Sequence, residues 1–225
     1  MRARTEEQMD SPDLHPAEYA HVLADLARVN RWTLAARPTL AFLRAAVGDR
    51  KRFTVLDVGF GHGDMLRRIA FWARRHGKEA RLFGIDLNGK SLAPASVATA
   101  GLPIDLRIGD YRGIADRFDC VISSLVAHHM SDAELIDFIR YMETHAVRGW
   151  FINDLHRHGF AYRGYPLLAR ALRVHRIVRE DGALSIARAF RPAEWRALLA
   201  EAGAPAGAAE VSRYFPFRLC VERLR

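Results

Sequence analysis

Residues 53–63 read FTVLDVGFGHG, an apolar run of strand length with an acid at 57 and glycines at 59, 61 and 63. Phe53, Val55, Leu56 and Val58 are the aromatic, β-branched and aliphatic residues that a parallel strand covered on both faces requires. Glycine at alternate positions removes the side chains that would keep a ligand off the turn, and it tolerates the positive φ the turn needs. From Asp64 onward Met65, Leu66, Ile69, Ala70, Trp72 and Ala73 recur at helical spacing, and Gly77 follows a basic last turn. The segment is therefore strand, loop, helix. Its spacing is GxGxG rather than the GxGxxG of the dinucleotide fingerprint, and no Lys-Ser/Thr pair follows as in a P-loop, which points away from pyrophosphate.

Working outward, residues 81–86 (RLFGID) form a second apolar run ending in an acid, and Asp86 at a strand tip is placed to accept both hydroxyls of a ribose. A third strand over 104–108 ends in Gly109-Asp110-Tyr111, where a carboxylate and a ring are expected to meet an adenine. The fourth, 118–123, leads into SSLVAHHM, a loop at the carboxyl ends of the strands, the edge where open α/β sheets bind ligands. Ser131-x-x-Glu134 is a capping box that starts the next helix. The fifth strand, 147–154, delivers Asn153, Asp154, His156, Arg157 and His158 to the same edge.

These pieces in this order resemble the class I S-adenosylmethionine-dependent methyltransferases: DVGFGHG for the glycine motif, GIDL for the ribose acid, GDY for the adenine acid and FDCVISSLVAHHM for the fourth strand and its loop. The HHM loop resembles that of the quinone-biosynthesis-type enzymes. The resemblance runs from about residue 53 to the C-terminus. It implies an α/β fold, a doubly wound, mostly parallel, seven-stranded Rossmann-like sheet with an antiparallel last strand, and S-adenosylmethionine as cofactor. It assigns Asp57, Gly59, Gly61, Gly63, Asp86, Leu87, Asp110, Tyr111 and Ser124 to cofactor binding. In relatives of this kind N-terminal helices lie over the cofactor, which gives Arg31 the methionine carboxylate to pair with and makes Trp32 a wall.

The remaining elements fit that plan. Helices are expected from Pro16 to about Asn30 and from Pro38 to Gly48, within a tail-and-cap unit over 1–48, with residues 1–14 disordered or weakly docked. The main unit spans 49–225 and carries a helical lid insertion over about 156–185, rich in Tyr and Leu. Pro192 starts a helix stopped by Gly203, and two short strands around Pro216 pair antiparallel.

The 225 residues are half hydrophobic, as one sizeable core requires. Cys120 and Cys220 sit in apolar runs and suggest a reducing, cytoplasmic setting, with no signal peptide or membrane span in the chain. A net charge of +8 raises nucleic acid as a partner, yet the arginines are scattered, SSLV does not match the Asn/Asp-Pro-Pro-aromatic tetrad of amino-methylating enzymes, and no Pro-Cys nucleophile is present. A small-molecule acceptor is the better partner.

A hydroxylated acceptor needs a base, because a phenol of pKa near 10 is only about one part in a thousand ionised at neutral pH. Four histidines fall at strand ends, and His156 is the expected general base with His129 second, since the fifth strand should aim at the acceptor. The alternatives are transfer to carbon on a quinol-like ring, nucleic-acid methylation, or a cofactor-binding scaffold. No metal is expected: His128-His129 and His156-x-His158 lie on separate loops without closed ligand spacing. Ser123-Ser124 and Asn153-Asp154 also differ from the acid and the Asp-Asn pair of magnesium-dependent catechol methyltransferases.

Overall fold

The computed structural model describes residues 2–225. Seven strands, β1 (Arg52–Val58), β2 (Glu79–Asp86), β3 (Ile104–Ile108), β4 (Phe118–Ser124), β5 (Ala146–Leu155), β6 (Glu210–Tyr214) and β7 (Arg218–Leu224), form one sheet in the order β3-β2-β1-β4-β5-β7-β6. The first five run parallel, and β7 pairs antiparallel with both β5 and β6. This is the expected doubly wound sheet.

Side-chain alternation along each strand feeds two cores. Phe53 and Val55 of β1 pack with α2 (Ala36–Val47) and α3 (Asp64–Arg75), while Leu56 and Val58 pack on the other face with α5 (Asp132–His145) and α8 (Pro192–Glu201). The capping box predicted for α5 is present: Glu134 accepts from the Ser131 N–H at 2.8 Å and Ser131 Oγ from the Glu134 N–H at 3.3 Å. Cys120 and Cys220 are free and buried. Among the described residues no helix is long and apolar enough to cross a membrane.

The segment expected as a helical lid folds as two helices. α6 (Gly159–Ala171) and α7 (Arg176–Arg188) meet α1 (Pro16–Trp32) in a third apolar cluster of Val22, Val29, Ala169, Val174, Ile177 and Val178. Tyr165 of α6 lies across Gly182 of α7, where an added Cβ would fall 2.1 Å from its ring, and its hydroxyl donates to the Val178 carbonyl at 2.7 Å. Residues 2–14, expected to be disordered or weakly docked, lie bound against α7 and the β4 loop, held by half-buried polar contacts that a composition reading does not reveal.

Candidate active site at the carboxyl edge of the sheet

A cavity of about 630 Å³ opens at the carboxyl ends of β1, β2 and β4, between the sheet and the lid. That volume lies within the range of small-molecule sites. Its floor is the glycine turn. Gly59 has φ +81°, donates its N–H to the Ile85 carbonyl at 2.7 Å, and approaches Val126 so closely that a Cβ would sit 2.3 Å from Cγ2. Gly61, at φ +51°, donates to Asp86 Oδ2 at 2.8 Å, and the Asn88 N–H takes Oδ1 at 2.9 Å. These backbone donors leave lone-pair capacity on that carboxylate for a ligand hydroxyl. Burial raises the Asp86 pKa, opposed by the same backbone donors and by the Ser91 hydroxyl.

Gly59, Gly61, Asp86, Leu87, Tyr111 and Ser124 line the cavity. Other expected residues lie elsewhere. Arg31 is exposed at the end of α1, outside the lining. Asp110 is exposed and turned onto Arg112, accepting from its backbone at 2.9 Å and its guanidinium at 3.2 Å. Gly63 (φ +70°) sits behind the turn as the first cap of α3. Asp57 is buried behind the turn with Oδ1 unpartnered, and burial, with the charges of Asp64 and Asp86, pushes its carboxyl up to about 8.

Sequence reading missed Arg218. It opens β7 opposite Leu155, 3% exposed, with Nη2 donating to Asn30 Oδ1 at 3.2 Å and Nη1 without a partner, and it lines the cavity. Burial lowers its pKa. A buried guanidinium with a free N–H calls for an anion. The available signal was the antiparallel ending: the first residue of β7 returns to the edge where the parallel strands stop. Arg218 for a carboxylate, Asp86 for a diol, glycine backbone between them and Tyr111 at the far side suit an adenosylated amino acid, so the residues present fit the expected cofactor.

The histidines divide. His156 is buried, lies outside the cavity lining, and its backbone N–H donates to the Phe217 carbonyl at 2.9 Å. Burial, with Arg213, His158 and Arg191, lowers its pKa. His128 and His129 both line the cavity. His128 Nδ1 stands 2.7 Å from Asp154 Oδ1 and Nε2 3.5 Å from Glu7 Oε1. Burial acts to lower its pKa, but the charges and hydrogen bonds of Asp154 and Glu7 outweigh this and hold it up at about 9. His129 Nδ1 stands 3.0 Å from Asp10 Oδ2, with Nε2 3.9 Å from Glu7 Oε2. Glu7, His128 and His129 thus bring three groups of metal-ligand type within 4.8 Å of one another, a convergence hidden from sequence because Glu7 lies far along the chain.

Residues 55–149 match a family model described as a methyltransferase domain. No curated protein matches the chain. Solved structures that share its fold include the plantazolicin methyltransferase BpumL in complex with SAH, 14% identical over 94% of this chain and 92% of that one, with a TM-score of 0.69. Another is human N-acetylserotonin methyltransferase in complex with SAM, 14% identical over 94% of this chain and 56% of that one, TM-score 0.65. A third is magnesium protoporphyrin IX methyltransferase from Synechocystis PCC 6803 with bound SAM, 16% identical over 97% of this chain and 88% of that one, TM-score 0.57. At these identities the likeness is one of fold.

Proposed function

We propose that this chain, an S-adenosylmethionine-dependent methyltransferase, methylates a hydroxyl of a largely apolar small molecule such as a phenol, quinol or aromatic polyketide. The observation that carries the reading is a single cavity that holds both the glycine turn with Asp86 and, under the lid residues Phe160, Tyr165 and Leu168, the polar group of His129 and Asp10. The HHM loop, similar to that of quinone-biosynthesis-type enzymes, supports a hydroxylated ring as acceptor.

When bound, the cofactor supplies a sulfonium methyl that is already electrophilic. In this proposal Gly59 and Gly61 carry it on their backbone, Asp86 takes the ribose hydroxyls, Leu87 and Tyr111 wall the adenine, and Ser124 borders the reacting end. Arg218 takes the amino-acid carboxylate in place of Arg31. Asp57 and Gly63 shape the turn from behind. Orienting the acceptor in line is worth roughly 7–11 kcal/mol. His129 receives the hydroxyl proton on Nε2, a contribution of about 10²–10⁴ in rate. His128, buried with Asp154 at 2.7 Å and Glu7 at 3.5 Å, is held cationic and does not serve as the base. His129, by contrast, is open on one side, and its Nε2 lies 3.9 Å from Glu7, beyond hydrogen-bond reach. His156 is set aside as base because it does not reach the cavity.

The test is incubation with methyl-labelled S-adenosylmethionine and a panel of hydroxylated aromatics, with the product read by mass spectrometry to separate oxygen from carbon transfer. Labelled methyl ether is the expected product. Label in RNA with none in any aromatic overturns the reading. Asp86→Ala is expected to weaken cofactor binding by about 1.5–3 kcal/mol in calorimetry, the worth of a hydrogen bond to a charged acceptor.

A further inference from the structure

The amino-terminal residues form a strap across the cavity. The Ala3 N–H donates to the Ala187 carbonyl at 3.1 Å, Arg2 Nη2 to the Met130 carbonyl at 2.9 Å, and Arg188 Nη1 to the Thr5 carbonyl at 2.8 Å. Asp181 of α7 accepts both the Gln8 N–H (3.1 Å) and the Met9 N–H (2.9 Å). Lys90 Nζ then donates to the carbonyls of Ser11, Pro12 and Leu14 at 2.9, 3.1 and 3.0 Å. These anchors come from the lid, the β4 loop and the loop after β2, so the strap ties together three parts of the cavity rim.

Between its anchors the strap brings two carboxylates to the histidines, Glu7 buried and Asp10 at the exposed rim. Glu7, 4% exposed, accepts from Ser185 Oγ at 2.8 Å and faces Nε2 of both histidines. Asp10, itself on the cavity wall, meets only Nδ1 of His129. An imidazole whose Nδ1 hydrogen is accepted by a carboxylate keeps its lone pair on Nε2.

We propose that Asp10 is the positioning residue of His129, and that the strap is thereby part of the active site rather than a tail packed upon it; this rests on the reading of His129 as proton acceptor. Asp10 accepts the Nδ1 hydrogen and fixes ring and tautomer, the acceptor hydroxyl gives its proton to Nε2, and the new charge on the ring is balanced by Asp10. A strap that lifts takes the partner of the base with it, so the base is complete only when the cavity is covered.

The experiment compares wild type, Asp10→Ala and Asp10→Glu on substituted phenols spanning a wide range of acidity. On phenols that are neutral at the assay pH, Asp10→Ala is expected to lower kcat by about ten-fold or more, Asp10→Glu to recover most of it, and KM for the cofactor to stay within about two-fold. On phenols already ionised the loss should vanish, because no proton remains to be taken. A loss of equal size across the series makes Asp10 a purely structural contact and overturns the proposal, as does no loss at all.

A second measurement needs no acceptor. Nitrogen-15 imidazole spectra of the full chain with S-adenosylhomocysteine, in mildly alkaline buffer, should place the His129 proton on Nδ1 in wild type and shift the tautomer in Asp10→Ala. A proton on Nε2, or spectra unmoved by the substitution, overturns the positioning role. If the spectra behave as expected while no phenol is methylated, the acceptor reading falls and the Asp10–His129 pair stands. Turnover lost on dialysis against chelator and restored by zinc would assign Glu7, His128 and His129 to a cation and overturn the proposal.

Discussion

Two histidine pairs stand at the same sheet edge and meet different neighbours. The rings of His128 and His129 are 4.2 Å apart and are met by Asp154, Glu7 and Asp10. The rings of His156 and His158 are 5.5 Å apart; no carboxylate pairs with them among the described residues, and Arg213 and Arg191 lie near His156. His158 accepts the Phe160 N–H at 3.3 Å as the cap of α6 and stacks between Phe160 and Phe217. Both pairs are equally conspicuous in sequence. The carboxylates that distinguish them come from β5 and from the amino-terminal strap, so a histidine's chemistry is set by its neighbours rather than by its place at a strand end.

The comparison can be broken most forcefully in turnover. His129→Ala is expected to lower the rate of methyl transfer by about 10²–10⁴, with cofactor affinity retained in calorimetry. A silent substitution there would erase the functional difference between the pairs. Next in size is stability: Asp154→Ala leaves His128 buried beside Glu7 alone and should cost on the order of 3–5 kcal/mol in urea unfolding, as when one partner of a buried ion pair is removed. Retained stability would mean that His128 is satisfied without its aspartate.

The pairs should also tilt the pH dependence of stability in opposite directions. His128 is held at about 9, above the ordinary histidine value of 6.5, so its contribution is complete below 6.5 and is lost as pH rises toward 9. His156 lies below 6.5, so its contribution is present above 6.5 and is lost as pH falls through its lowered value. Unfolding series across this range should show Asp154→Asn flattening the alkaline slope and His156→Ala the acid one; an unchanged alkaline slope in Asp154→Asn contradicts the charged state of His128. Smallest of all, His156→Ala should change turnover by no more than about two-fold, since the ring lies outside the cavity.

Much of the site was legible because its determinants are local. Glycine at 59 and 61 carries positive φ wherever such a turn is built, and Asp86 lies two residues before Asn88, whose N–H it accepts. Asp110 shows the limit of the same logic: it caps the turn at Tyr111 by accepting the Arg112 N–H, a use of an acid that competes with ligand binding and looks identical in sequence. Arg31 and Arg218 show it again, since helix-end exposure and burial at the start of an antiparallel strand depend on what packs over each.

Taken by itself, the chain's order of apolar runs, glycines and acids determined the parallel sheet, its antiparallel ending and the turn with Asp86 at its tip. Hydrophobic period and backbone φ are properties of neighbouring residues, and they act before any distant contact forms. Only the tertiary structure decided that residues 2–14 close the cavity, that Arg218 rather than Arg31 faces it, and that Asp10 and Glu7 reach His129 and His128. Those decisions rest on charges brought together across more than a hundred residues, Glu7 and His128 in a buried, weakly screened space and Asp10 and His129 at its open side.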